Sequence, residues 1–284
     1  MEKRVTNDTL LLRTPRIAWP TLGLFSLACA ILGTSLSLGL TEQLATSVVV
    51  TLNTIALYML FTVLHDASHR ALSTIAWLNE AVGNMAAFLL FPMLTVKNFR
   101  YVHLQHHRYT NAGDKLDPDD WARGPWWILP AKCLTVHFWY ICFYLRVFKQ
   151  RPRQEILGGA ISSLLGLGVL LVAYHHGYVG KWLWYFLVAT TLSYGFLGFT
   201  FDYLPHHPHD TTGADNPYRA TSVRLGAEWL LTPLFIYHNY HLIHHLWPRV
   251  PFYRYGAVWR AKREMLASHQ ARVVSLFGKE CAVR

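Results

Sequence analysis

Residues 44–69 read LATSVVVTLNTIALYMLFTVLHDASH, an uncharged apolar run from 44 to 64 that ends in His65 and His69. A run of about 20 apolar residues is long enough for a helix to cross the hydrocarbon of a bilayer. A helix also closes its own backbone hydrogen bonds, which that environment requires. Residues i and i+4 share a helical face. This segment therefore delivers His65 and His69 as a fixed pair at one membrane surface. Polar side chains are expensive there, and pairing them with a metal offsets that cost.

Working outward, residues 17–40, 156–174 and 182–204 have the length and apolarity of further spans. Thr41-Glu42-Gln43 joins the first pair, and a short turn around His175-His176-Gly177 joins the second, so the four form two hairpins. Trp182, Trp184 and Tyr185 sit where an interfacial aromatic belt falls. Composition agrees: 52% of residues are hydrophobic and only 15% charged, against about 25% charged in soluble domains. The net charge of +10 does not point to nucleic acid, because no basic run or nucleic-acid motif accompanies it. Topology explains it instead. Of 26 Lys and Arg residues, Lys181 alone falls on the side opposite the histidine-bearing ends. The positive-inside rule then places both termini and the histidines in the cytoplasm, with the protein integral to the cytoplasmic (inner) membrane.

The expected fold is an all-α integral membrane protein, four transmembrane helices in two hairpins under a cytoplasmic histidine-rich helical cap, as one domain over 1–284. Residues 78–94 and 126–148 are apolar as well, but Lys132, His137, Pro92, Pro125 and Pro130 interrupt the region. Interfacial or half-buried helices that seat the cap are expected there. Residues 260–284 read as an amphipathic helix and tail. The segment after the basic Met1–Arg16 is too long for a signal-peptide core and is expected to be retained. Cys29, Cys133, Cys142 and Cys281 form no Cys-x-x-Cys pair and read as small hydrophobes.

Two further clusters repeat one pattern, His-x-x-His-His: His103-Leu104-Gln105-His106-His107 and His241-Leu242-Ile243-His244-His245. One such pattern can arise by chance among 16 histidines; two, beside the His65/His69 pair, point to metal. Phe201-Asp202-Tyr203-Leu204-Pro205-His206 closes the fourth span and adds His206 as a candidate ligand. Asp202, four residues earlier, joins it as a direct or water-bridged one. The expected ligands are thus His65, His69, His103, His106, His107, His206, His241, His244 and His245, with Asp202. Asp114, Asp117, Asp119 and Asp120 follow the second box and are able to orient imidazole N–H groups. His238 reads as a supporting or structural residue, and His207 and His209 as loop residues. His137, His175, His176 and His269 have no box context.

So many histidines without cysteine exceed what a tetrahedral zinc needs and suit two iron ions. A diiron site at a membrane face is equipped to activate O₂ for attack on C–H bonds of an apolar substrate delivered by the bilayer. No haem, flavin or nicotinamide motif is present, so electrons come from an external donor; Gly166-Leu167-Gly168 lies within a span and reads as packing. The competing class, metal transport, needs ionisable groups through the span interiors, and residues 17–64 supply almost none.

The three boxes resemble those of the membrane fatty acid desaturase and hydroxylase superfamily over residues 60–260. Phe201–His206 and Asn239-Tyr240-His241-Leu242-Ile243-His244-His245-Leu246-Trp247-Pro248 look more narrowly like cyanobacterial-type β-carotene hydroxylases. That resemblance implies a four-span mushroom with two irons in its cap. It also implies iron ligation by the box histidines and His206, and O₂-dependent hydroxylation of a carotenoid β-ring. Where acyl-CoA desaturases carry Asn, this chain carries Asp202. No fused cytochrome b5 domain is recognisable, so the resemblance implies a ferredoxin-like donor and its reductase. Arg249, Arg254, Arg260, Lys262 and Arg263 form a basic face complementary to an acidic ferredoxin, although the positive-inside rule alone also accounts for it. A fatty acyl desaturase, an alkene-forming fatty acid decarboxylase and a carotenoid ketolase are the alternatives on the same scaffold. Hydroxylation and desaturation both begin by removing hydrogen from C–H.

Overall fold

The computed structural model describes residues 9–113 and 115–283. In chain order its helices are α1 (Trp19–Leu40), α2 (Thr46–Ser68), α3 (Ala76–Leu90), α4 (Val96–Tyr109), α5 (Leu129–Leu134), α6 (Val136–Val147), α7 (Arg153–His175), α8 (Val179–His206), α9 (Glu228–Leu234), α10 (His241–Leu246) and α11 (Tyr255–Ser268). The four expected spans appear as α1, α2, α7 and α8, each long and apolar enough to cross a bilayer. Around the central α2, α1, α3 and α8 bury Leu57, Leu60, Val63 and Leu64. Since lipid is as apolar as these side chains, close packing, and not removal from water, is what they contribute to holding the bundle. By contrast α7 buries little beyond Glu155 and Ser162 and presents leucines outward, as a lipid-facing helix does.

Polar groups inside the bundle are paired. Asn53 on α2 donates its Nδ2–H to the carbonyl of Tyr185, 2.7 Å away, and accepts from the Ser35 hydroxyl on α1. Tyr185 lies in a π-helical turn, Leu183–Val188, where the α-ladder is interrupted. A carbonyl released by that turn finds its donor in Asn53.

Neither apolar stretch of the 75–150 region is a straight span. With 15 residues α3 is too short to cross, and the α5–α6 pair is bent by 73°. The tight seat of α3 depends on Gly83: a Cβ there would lie 2.6 Å from Val96 Cγ2 and 2.9 Å from Ala67 Cβ. Only a bare backbone lets α3 approach both α2 and the start of α4 so closely.

A second core under the cap gathers Leu242, Ile243, Tyr255, Val258, Leu266 and Val273. Residues 260–284 hold more than the expected helix and tail. After α11 the chain forms β2 (Val273–Val274) and β3 (Glu280–Cys281) beside β1 (Val223–Arg224), in the order β1-β2-β3. β1 and β2 run parallel with Val223 opposite Val273, and β3 is antiparallel with Cys281 opposite Val273. Strands of two residues each give no period to read, so this sheet escapes a pattern search. Cap and spans are tied by Asp66, whose carboxylate accepts from the Thr21 hydroxyl at 2.8 Å and the Phe252 N–H at 3.2 Å.

Candidate metal centre

Each histidine box rides on a defined element. His65 closes α2 and His69 is the residue that caps it, its N–H returning to the His65 carbonyl at 3.2 Å. α4 starts at a reciprocal cap: Thr95 Oγ1 accepts from Asn98 N–H at 3.3 Å, and Asn98 Oδ1 accepts from Thr95 N–H at 2.8 Å. That cap fixes the phase of His103, His106 and His107. His206 ends α8, and α10 carries His241, His244 and His245.

All nine histidines converge, and their ring nitrogens form two sets. In the first, Nε2 atoms of His65 and His244 lie 3.0 Å apart, those of His107 and His244 2.8 Å, and those of His107 and His103 3.2 Å; His69 joins this set. In the second, His206 and His241 are 3.1 Å apart, His241 and His245 3.0 Å, and His245 and His106 3.3 Å. Nitrogens bound to one cation at about 2.1 Å would be about 3.0–3.4 Å apart for right-angle to tetrahedral arrangements. His69 Nε2 is buried with no hydrogen-bond partner, although its ligand atom lies within 4.8 Å of those of His65, His103 and His244. The donor set fits two metal ions. An orphaned nitrogen in this position is what a missing cation would satisfy.

Electrostatics point the same way. Burial pushes His103, His107, His241, His244 and His245 well below the ordinary imidazole range, with neighbouring histidines adding to it. His69 is held down at about 3 by burial and by Arg100. These rings are neutral and able to donate lone pairs. His106 is the exception. Burial opposes its cation, but Asp119 and Asp117 outweigh that and hold it up at about 9. Its Nδ1 faces Asp117 Oδ1 at 2.9 Å and Asp119 Oδ2 at 3.0 Å.

Of the four aspartates expected to orient imidazoles, Asp117 and Asp119 do so. Asp120 instead meets Arg123 at 3.1 Å, and Asp114 lies outside the described residues. Asp117 is held in place by Asn111 N–H at 2.7 Å and Asp119 N–H at 2.9 Å. Tyr140 donates to Asp119 at 2.6 Å. Outer supports missed from the sequence are Tyr255 Oη, 3.0 Å from His244 Nδ1, and Tyr140. Both are remote in the chain and carry no local signal. Asp117-Pro118 was readable, since Asp followed by Pro is a helix-start signature; here it opens the 3-10 turn Pro118–Ala122.

Asp202 does not belong to either nitrogen set. Its expected alignment with His206 assumes regular α-helix, and a π-helical turn, Gly198–Tyr203, intervenes and changes the phase. Its buried carboxylate instead lines a cavity beside Asp119 and Tyr140. His238 packs on Phe201 with ring centroids 4.5 Å apart and sits behind the site. His209 pairs with Asn111 Oδ1 at 3.2 Å. The cavity measures about 360 Å³ and reaches the centre at His103 and His106. Its walls are otherwise largely apolar, with Phe61, Phe99 and Phe201 in ring contact with the histidines, the character of a site for an apolar ligand.

Comparisons with known proteins bear on what occupies it. The chain is 29% identical over 234 residues to an sn-1 oleoyl-lipid 12-desaturase of Arthrospira platensis, covering 70% of this chain and 62% of that protein. It is 26% identical over 237 residues to a chloroplastic omega-6 fatty acid desaturase of Spinacia oleracea, covering 72% and 50%. The chain thus spans between half and two thirds of the length of these relatives. The β-carotene hydroxylase expectation, with the monooxygenase chemistry it carried, is corrected: these relatives are named for fatty acyl desaturation. The physical reason is that the box segments and Phe201–His206 build and support the metal centre, which serves either substrate. Most of the cavity wall, such as Phe61, Phe99, Tyr140 and Leu197, lies outside those motifs. Residues 43–277 match the family model described as fatty acid desaturase. By that match the chain belongs to the fatty acid desaturase family, an oxidoreductase family by the reaction its name describes.

Proposed function

We propose that this chain is an integral membrane diiron desaturase that introduces a double bond into the fatty acyl chain of a lipid. The observation that carries the reading is the cavity, whose apolar walls lead directly to two sets of converging histidines. His65, His69, His103, His107 and His244 would hold one iron, and His106, His206, His241 and His245 the other. When bound, the two irons supply activation of O₂ for removal of hydrogen from an unactivated C–H bond. In balance, –CH₂–CH₂– plus O₂, two electrons and two protons give –CH=CH– and two waters.

The protein's own part is binding, orientation and exclusion. Phe61, Phe99 and Phe201 wall the cavity beside the histidines and keep the reacting carbons away from bulk water. Asp117 and Asp119 accept from His106 Nδ1–H, leaving Nε2 as the ligand atom. Tyr255 does the same for His244. Electrons would come from an external, ferredoxin-like donor and its reductase. Apart from Lys181, the basic residues lie on the histidine side, which supports a cytoplasmic centre and cytoplasmic termini.

The test is expression in a bacterial host whose lipids carry defined acyl chains, followed by mass spectrometry of those chains and iron analysis of the purified protein. Acyl chains two hydrogens lighter, with about two irons per chain, is the expected result. Unchanged acyl chains in iron-loaded protein supplied with a reducing system would overturn the reading.

A further inference from the structure

The cavity has two unlike ends. At the histidine end its lining residues, such as His103, His106 and Asp202, are buried. At the other end Met93, Leu145 and Phe148 line it while 54%, 61% and 39% exposed. The mouth therefore lies between the end of α6 and the first turns of α7. α6 runs from one end to the other, with Tyr140 beside Asp119 and Phe148 just past its end at the mouth. Eight residues at 1.5 Å each separate them by about 12 Å.

One charged assembly stands at this mouth. Glu155 lines the cavity and is 6% exposed. It accepts from Arg151 Nε at 3.0 Å, Arg151 Nη2 at 2.7 Å and the Tyr144 hydroxyl at 2.7 Å. The guanidinium lies 3.4 Å from the centroid of the Tyr101 ring. Two forked hydrogen bonds, a hydroxyl and an aromatic face leave the group little freedom. A buried ion pair seldom improves stability over apolar residues of the same volume, so stability alone does not account for one facing an apolar cavity. Asn98 also lines the mouth, and its only hydrogen bond from Nδ2 among the described residues is a long one, 3.5 Å to the Met93 carbonyl. A further N–H remains for an acceptor. Exposed Lys97, Lys149 and Arg153 surround this end.

We propose that Tyr144, Glu155 and Arg151 form a register post: they hold the carbonyl end of an ester-linked acyl chain at the mouth. The proposal rests on the desaturase reading and adds which end of the chain sets the reaction position. The tail passes inward along α6, and the rigid helix fixes how many carbons separate the ester from the histidine sets. Apolar carbons are disfavoured beside the charged Arg151–Glu155 pair and the Tyr144 hydroxyl, which satisfy one another, whereas an ester carbonyl beside them finds the spare Asn98 N–H. These three are positioning residues; they do not touch the reacting carbons. The double bond is accordingly counted from the carboxyl end.

The experiment supplies host lipids with acyl chains of three successive lengths and maps the double bond by mass spectrometry after chemical derivatisation. In the unmodified protein its distance from the carboxyl carbon should stay constant across the lengths. A constant distance from the methyl end would overturn the proposal. The double variant Arg151→Met/Glu155→Leu removes both charges together, so no unpaired charge is buried. It should lower the ratio of main to neighbouring positional isomers by tenfold or more, a readout that simple loss of folded protein does not move. Tyr144→Phe, a smaller change, should move the ratio in the same direction. A single unshifted isomer from active double variant would overturn the post. Absence of any double bond from the unmodified protein would instead overturn the desaturase reading, and the post with it.

Discussion

Asp117→Asn tests the carboxylate support of the metal centre with almost no change of shape. Asp117 Oδ1 receives His106 Nδ1 at 2.9 Å and Asp119 N–H at 2.9 Å, while Oδ2 receives Asn111 N–H at 2.7 Å. Every contact is from a donor to an acceptor. An asparagine brings one NH₂, and whichever way it is turned that NH₂ meets a donor. With the oxygen toward His106, the Asn111 N–H is orphaned; with it toward Asn111, His106 loses this partner and keeps only Asp119. One buried hydrogen bond to a charged group is worth about 1.5–3 kcal/mol. Loss of such a support from a metal-bound histidine typically lowers metal affinity or activity 10–100-fold, about 1.4–2.7 kcal/mol at 1.36 kcal/mol per decade. The two figures agree, so the loss should appear in the metal site and not as global unfolding. The assay is iron content by mass spectrometry alongside double-bond formation, with thermal unfolding in detergent as the control for folding. Asp120→Asn serves as comparison, because Asp120 pairs with Arg123 at a half-exposed position and should change stability by less than about 0.5 kcal/mol. Full iron loading and unimpaired activity in Asp117→Asn would refute the orienting role.

Other outcomes follow from the same structure. His106→Ala should abolish turnover while the protein remains folded in the membrane; retained double-bond formation would sink the ligand assignment. Gly83→Val drives a side chain into Val96 and Ala67 and should destabilise by about 1–3 kcal/mol, visible as a lower midpoint in detergent melting. His106 is held at about 9 by Asp119 and Asp117 against burial, so in chelator-stripped protein a proton occupies it at neutral pH and competes with the metal. Raising pH removes the competitor, and affinity at that set should climb by about one decade per pH unit up to about 9 and then level off. A pH-independent affinity between 7 and 9, measured by competition with a chromophoric chelator, contradicts this. Reporter fusions after residues 16 and 270 should report a cytoplasmic location, and one in the turn at Gly177 the opposite side.

Much of the fold was legible because hydropathy and charge act at long wavelength. Residues 156–174 lie inside α7 and 44–64 begin two residues before α2, and no detail of packing was needed to find them. The histidines were legible for a different reason: their spacing of three and four matches a helical face, so each box declares its own geometry. What escaped depends on partners far along the chain. Tyr255 reaches His244, Tyr140 reaches Asp119, and Tyr144 meets Glu155 across the connection between α6 and α7. The substrate was misread for the same reason. Box segments describe the centre, while most residues that line the cavity are scattered over several helices and share no motif.

The two π-helical turns of α8, Leu183–Val188 and Gly198–Tyr203, bear on how such a span can change over evolution. Each takes one residue more per turn than α-helix does, and one residue corresponds to about 100° of rotation. Deleting a single residue within either turn would restore an ordinary helix with its flanks in nearly the same phase, and would redirect the side chains inside the turn. After the second turn lies His206, and within it Asp202, which lines the cavity. A one-residue gap in this segment between two relatives is therefore a change of cavity lining without any substitution. It offers engineers a lever that point mutagenesis does not reach: length, in place of identity, sets which side chains face the cavity.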